Sequence, residues 1–174
     1  MSNRRAHTIA EVLVAAVIAV IFFTSAMGVF VMAKRFYASG MSGQELQRDV
    51  DRILNRIIRG LEEGGTRYGT RSGASFTSPI ADITRLDFVG TDGNTRSIYL
   101  TAGGIVYESP TQAPNQQVIY TPPANSVLTL RFWEPAGYAD HETVAIYIGL
   151  SKQVSGKVTS GSLTTYVNLR NIAK

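Results

Sequence analysis

Apolar residues change their spacing twice along this chain, and each spacing predicts a different element. From Val12 to Ala33 they are almost continuous, interrupted only by Thr24, Ser25 and Gly28, with no charged residue. As a helix that stretch is roughly 33 Å long, enough to cross the ~30 Å hydrocarbon core of a bilayer. It exceeds the ~7–15 apolar residues usual in a cleavable signal. Ser39-Gly40-Met41-Ser42-Gly43 follows as a weak helical stretch, where each Gly costs about 1 kcal/mol relative to Ala, so a joint or break is expected there. From Gln44 to Glu63 the spacing becomes helical: Leu46, Val50, Ile53, Leu54, Ile57, Ile58 and Leu61 share one face. Arg48, Asp49, Asp51, Arg52, Arg56 and Arg59 occupy the other, and Gly64-Gly65 is the expected stop.

Beyond about Ala81 the period falls to two, which predicts short antiparallel strands. Arg85–Val89 and Arg96–Thr101 flank Thr91-Asp92-Gly93-Asn94, a hairpin turn signal. Gly103-Gly104 leads into Ile105–Glu108, Val118–Tyr120 is a weaker candidate, and Val127–Trp133, Thr143–Leu150 and Leu163–Leu169 complete the set. Leu128, Leu130 and Phe132 line one face, as do Val144, Ile146, Ile148 and Leu150, and again Leu163, Val167 and Leu169. A sheet with one apolar face needs a cover, and the stripe of the helix from Gln44 is available. The predicted class is α+β: a long N-terminal helix, membrane-spanning in its first half and amphipathic in its second, packed on an antiparallel β-sheet.

Composition changes little in this picture. At 174 residues there is room for one ordinary domain core. The formal charge of +4 and pI near 9.5 do not point to nucleic acid, because Lys and Arg are dispersed among acidic residues. With no Cys, disulfides and thiolate metal sites are excluded. Arg4 and Arg5 before the apolar run favour a cytoplasmic N-terminus, a bias that Lys34 and Arg35 on the far side reduce.

Glu11 opens the apolar run, where a carboxylate costs about 1–3 kcal/mol of insertion unless it is interfacial or partnered. Its context, Ala6-His7-Thr8-Ile9-Ala10-Glu11-Val12-Leu13-Val14-Ala15, resembles the processing motif of type IV prepilins and pseudopilins. That resemblance implies a basic leader, residues 1–6, removed by a prepilin peptidase between Ala6 and His7. Glu11 then becomes the fifth residue of the mature chain, and the amine of His7 is open to N-methylation. Ala6 stands where Gly is usual, and His7 where an apolar or aromatic residue is usual. The ending Leu163-Thr164-Thr165-Tyr166-Val167-Asn168-Leu169-Arg170-Asn171 is similar to the last strand of many minor pilins and minor pseudopilins.

The resemblance implies a pilin-like fold with residues 7–33 as the transmembrane and filament-core helix and residues 34–174 as the extracytoplasmic domain. It also implies a structural role, as a subunit of a type IV pilus or type II secretion-like filament. Its partners would be other pilin or pseudopilin subunits, the prepilin peptidase, an inner-membrane assembly platform, and membrane lipid before assembly. Nucleic acid is not an expected partner. The chain would begin as a single-pass inner-membrane protein and end in a filament, in the periplasm or on the cell surface. Glu11 would be the assembly residue.

Enzyme chemistry has little support, and no catalytic residue, cofactor or metal is assigned. The two His are His7, at the expected junction, and His141 in Asp140-His141-Glu142, which reads as a polar loop. Asp92-Gly93-Asn94 lacks the further ligands of a calcium loop, and Gly69–Gly73 lacks a phosphate-loop pattern. The ladder Arg48, Arg52, Arg56, Arg59 reads as a solvated face before a phosphate site. Tyr68, Trp133 and Tyr138 are aromatics near expected loops, available for contacts without naming a partner. The alternative is a secreted or membrane-anchored β-rich binding module with an ordinary signal, cut after Thr24-Ser25-Ala26 and before Met27. Glu11 would then interrupt the apolar region that such a signal requires.

Overall fold

The computed structural model describes residues 8–73, 75–77, 80, 83–136, 143–154 and 156–169. Among the described residues it has one α-helix, α1 (Ile9–Arg59), followed by antiparallel strands and a short 3-10 turn at Thr70–Ser72. The chain divides into two compact units, the first ending at Met41 and the second beginning at Ser42.

In the second unit, the helical stripe and the strands build one core. Leu46, Val50, Ile53, Leu54 and Ile57 of α1 are buried, with Ile58 and Leu61 packed against them. The strands β1 (Leu61–Glu63) and β2 (Thr66–Tyr68) form a hairpin. A five-stranded sheet runs in the order β3 (Ser75–Phe76), β4 (Arg85–Val89), β5 (Thr95–Thr101), β6 (Gly104–Glu108), β7 (Gln116–Tyr120). A three-stranded sheet places β9 (Thr143–Val154) between β8 (Ser126–Trp133) and β10 (Lys157–Asn168). Leu86, Phe88, Ile98, Ile105 and Ile119 of the larger sheet join Leu130, Phe132, Ile146, Ile148 and Leu150 of the smaller in one apolar cluster with the helix. The two sheets meet where the Phe132 amide donates to the Ile83 carbonyl at 2.6 Å.

The helix lies close to the smaller sheet because Gly161 has no side chain. A Cβ there would stand 3.0 Å from the Gln47 amide nitrogen and 3.1 Å from the Leu46 carbonyl carbon. Polar contacts add to the apolar ones: Arg56 donates to the Ile119 carbonyl, and the Tyr120 hydroxyl reaches Asp49 at 3.5 Å.

Two expectations need correction. The helix does not break at Ser39–Gly43 but runs through it. Two glycines cost about 2 kcal/mol there, which anchoring of the next turns by Leu46 and Val50 offsets. The helix stops at Arg59 rather than at Gly64-Gly65, because Gly60 takes the left-handed conformation (φ +70) and its amide donates to the Arg56 carbonyl at 2.8 Å. A side chain at Gly60 would also collide with the Tyr68 carbonyl, 1.7 Å from its Cβ position. Gly64-Gly65, with φ +57 and +83, instead forms the tight turn of the β1–β2 hairpin. The expected class holds, α+β with a long helix packed on antiparallel β-sheet, and among the described residues the strands divide between two sheets and a hairpin.

Candidate functional site: the apolar helix and its first turn

The first unit presents the unburied part of α1. An 18-residue window reaches a mean hydropathy of 2.6, and none of it is buried. Fifteen large apolar side chains between Ile9 and Met32 are exposed, among them Leu13, Phe22, Phe23, Val29 and Phe30. At roughly 1.5–3 kcal/mol for each such side chain, their removal from water is worth tens of kcal/mol. The helix is long and apolar enough to span a bilayer. The two hydroxyls within the apolar stretch from Val12 to Ala33 suit a bilayer: Thr24 donates to the Val20 carbonyl at 2.7 Å and Ser25 to the Ile21 carbonyl at 2.9 Å, so neither donor is left unmet.

Glu11 lies in the first turn, in a reciprocal cap. Its amide donates to Thr8 Oγ1 at 3.3 Å, and the Thr8 amide donates to Glu11 Oε2 at 2.9 Å. The negative charge also faces the positive end of the helix dipole. The carboxylate thus has a role within its own chain. Ala6 and His7, the expected junction, lie outside the described residues, as do His141 and Tyr138.

The other singled-out residues fall into structural roles. Asp92 and Asn94 shape the β4–β5 turn: the Asn94 side chain donates to Asp92 Oδ2 at 2.8 Å, and Asp92 also accepts from Arg96. Among the described residues no group of His, Cys, Asp and Glu could hold a metal ion. Of the arginine ladder, Arg52 pairs with Asp49 at 3.2 Å and Arg56 caps a β7 carbonyl, so the four do not converge on one point. Tyr68 does not face outward for contacts. Its ring lies under the Arg96 guanidinium, 3.7 Å from centroid to Cζ.

That guanidinium belongs to a cluster that no sequence motif announces. The Arg96 side chain is fully buried and bidentate to Asp92, both nitrogens at 2.7 Å, while Nη2 also reaches Glu63 Oε2 at 2.8 Å. Glu63 further accepts from the hydroxyls of Tyr107 at 2.6 Å, Ser109 at 3.0 Å and Thr111. Burial alone would raise the Glu63 pKa, but hydrogen bonds from Arg96, Thr111, Tyr107 and Ser109 outweigh it and hold it at about 2. The same balance operates on Arg96, where burial opposes the charge and Asp92 and Glu63 raise the pKa further above its ordinary value. For Tyr107, burial and then the Glu63 carboxylate push the phenol above its usual range. A cluster with its charges fixed this way fastens the β1–β2 hairpin to the five-stranded sheet and has no group poised to exchange a proton near neutral pH. A sequence signal did exist: Arg96 has the same parity as Ile98 and Leu100, which places an arginine on the apolar side of β5. Comparison of the chain with protein-family models, with curated proteins and with solved structures finds no match.

Proposed function

We propose that this protein is a pilin-like filament subunit, of the minor pilin or minor pseudopilin kind, processed between Ala6 and His7 and assembled through its N-terminal helix. One observation carries the reading. A single helix joins an exposed apolar stretch, long enough to span a bilayer, to an amphipathic stretch that covers antiparallel sheets, with an acid in its first turn. A soluble protein has no use for so much exposed apolar surface, and a plain membrane anchor has no need of Glu11. A subunit that leaves the bilayer for a bundle of like helices uses both. The apolar stretch is covered by lipid first and by neighbouring subunits afterwards. Glu11 offers a negative charge to the new α-amino group of a neighbour's His7, a cation with a pKa of about 8.

On this reading the partners are other pilin or pseudopilin subunits, a prepilin peptidase and an inner-membrane assembly platform. The β-rich unit is extracytoplasmic. The deciding experiment is the intact mass of the protein from membranes of cells with and without the peptidase. Mature protein starting at His7, lengthened by Met1–Ala6 in the deficient cells, is the expected result. Equal masses, or a start at Met27, would refute the proposal and leave the secreted-module alternative.

A further inference from the structure

The three-stranded sheet buries one face against α1 and leaves the other open. On the open face the antiparallel register sets Trp133 opposite Ala145, Arg131 opposite Tyr147, and Thr129 opposite Gly149. On the far side of β9, Tyr147 stands opposite Thr164 and Gly149 opposite Ser162, both exposed. Thr129, Arg131, Trp133 and Tyr147 line an open depression of about 500 Å³.

Two features make this more than a polar sheet surface. The Tyr147 ring leans over Gly149, whose missing side chain makes room for it: a Cβ would meet Tyr147 Oη at 2.8 Å and Cζ at 3.2 Å. The ring is thereby held toward Gly149 and Thr129, on the side of Arg131 away from Trp133. Between the two aromatics Arg131 is exposed, and among the described residues no carboxylate pairs with it. Most arginines of the β strands are otherwise engaged: Arg85 pairs with Asp87, Arg96 with Glu63 and Asp92, and Arg67 with Glu62.

Aromatic walls accept the C–H face of a sugar ring, hydroxyl side chains match its hydroxyls, and a guanidinium takes a carboxylate through two parallel hydrogen bonds. We propose that this depression binds an acidic saccharide, with successive sugar rings against Trp133 and Tyr147 and a uronate carboxylate on Arg131 between them. A peptide fits less well, because the backbone groups of β9 are already paired with β8 and β10 and a sheet face offers none to a second chain. Single-stranded nucleic acid would stack on the same rings but brings a phosphate with every base, and among the described residues that line the depression only Arg131 is a cation. The site belongs to the second unit alone and does not depend on the filament reading.

Trp133 is the chain's single tryptophan, so its fluorescence reports on the depression directly. The test is to titrate the full-length protein in detergent micelles with trigalacturonate, maltotriose and oligothymidylate. A saturable change with trigalacturonate is expected, with Arg131→Gln weakening it about 10-fold or more and neutral maltotriose comparably weaker. Gly149→Ala, which displaces the Tyr147 ring, should weaken it as well. Arg131 is exposed, so its variant should keep the parental circular dichroism, and its result decides alone if Gly149→Ala is misfolded. No saturable response to trigalacturonate, an equal response to maltotriose, or unchanged affinity in Arg131→Gln would overturn the proposal. Binding of oligothymidylate but not trigalacturonate would overturn it in favour of a nucleic-acid surface.

Discussion

Removing the Glu63 charge tests the buried cluster quantitatively. The carboxyl is held at about 2 against an ordinary 4.5, and its side chain is only 5% exposed, so solvent screens little of the effect. A displacement of that size corresponds to about 3 kcal/mol of stability at neutral pH. The sign follows from the direction. A depressed pKa means the contribution is complete above pH 4.5 and disappears as pH falls through 2. Glu63→Gln should therefore cost about 2–3 kcal/mol at pH 7, since Arg96 keeps its bidentate bond to Asp92 and no buried charge is stranded. Arg96→Met removes the cation shared by two carboxylates and should cost more, about 3–5 kcal/mol. Urea unfolding of the full-length protein in micelles, followed by Trp133 fluorescence at pH 7 and pH 3, measures both. The gap between parent and Glu63→Gln should narrow at the lower pH. A gap below about 1 kcal/mol at pH 7, or Arg96→Met more stable than Glu63→Gln, would refute the electrostatic account of the cluster.

Three further perturbations address the rest of the chain. Glu11→Leu should insert at least as well as the parent yet be recovered poorly in sheared filaments, with protease resistance of the β-rich unit unchanged; parental recovery would remove Glu11 from assembly. Residues 34–174 should form a soluble monomer of ordinary stability, roughly 5–15 kcal/mol. A chain beginning after Gly64 should aggregate, because it loses the helical stripe from Leu46 to Ile57 that covers the sheets, and equal folding of the two chains by size-exclusion chromatography would contradict the packing. Gly161→Val should lower stability by about 1–3 kcal/mol, because its side chain meets the helix backbone at Leu46 and Gln47, and an unchanged urea midpoint would show that the helix can move away freely.

The elements that were legible in the sequence are those whose burial has a simple period. The stripe from Leu46 to Ile57 repeats at three and four residues and is buried as expected, and the alternation of Val144, Ile146, Ile148 and Leu150 sits wholly on the core face of β9. What alternation cannot supply is the identity of a neighbour. It assigns each strand a face but not a sheet, so a division into five strands and three was not readable. The β1–β2 hairpin was hidden for a different reason. Leu61 continues the helical spacing, and the strands are three residues each and rich in charge, so the pattern ran through Gly60 unchanged. Local backbone chemistry decided against the pattern, since one left-handed residue fitted against the Tyr68 carbonyl ends the helix. The Arg96 cluster was half legible: parity placed the arginine inward, but its partner Glu63 lies 33 residues away and within the stretch read as helix.

On the filament reading, the Thr8 amide and a neighbour's amine would compete for the Glu11 carboxylate, and their strengths decide when each prevails. From sequence alone, an acid at the head of an apolar run is a group in need of a partner. The first turn already provides one, the Thr8 amide at 2.9 Å, so a lone subunit can hold the carboxylate at the membrane surface without an orphaned charge. A cap of this kind is worth about 1 kcal/mol. On the filament reading, the amine of a neighbouring subunit competes for the same oxygens with a full positive charge. At about 4 Å and an effective dielectric of about 20, that attraction is roughly 4 kcal/mol before desolvation. The stronger attraction prevails only where the amine can approach closely in surroundings poor in water. On that reading Glu11 would be satisfied in the bilayer, where the cap suffices, and would gain more in a helix bundle, where the charge pair becomes available. On the filament reading, the cap and the assembly role would be successive states of one carboxylate rather than rival explanations of it.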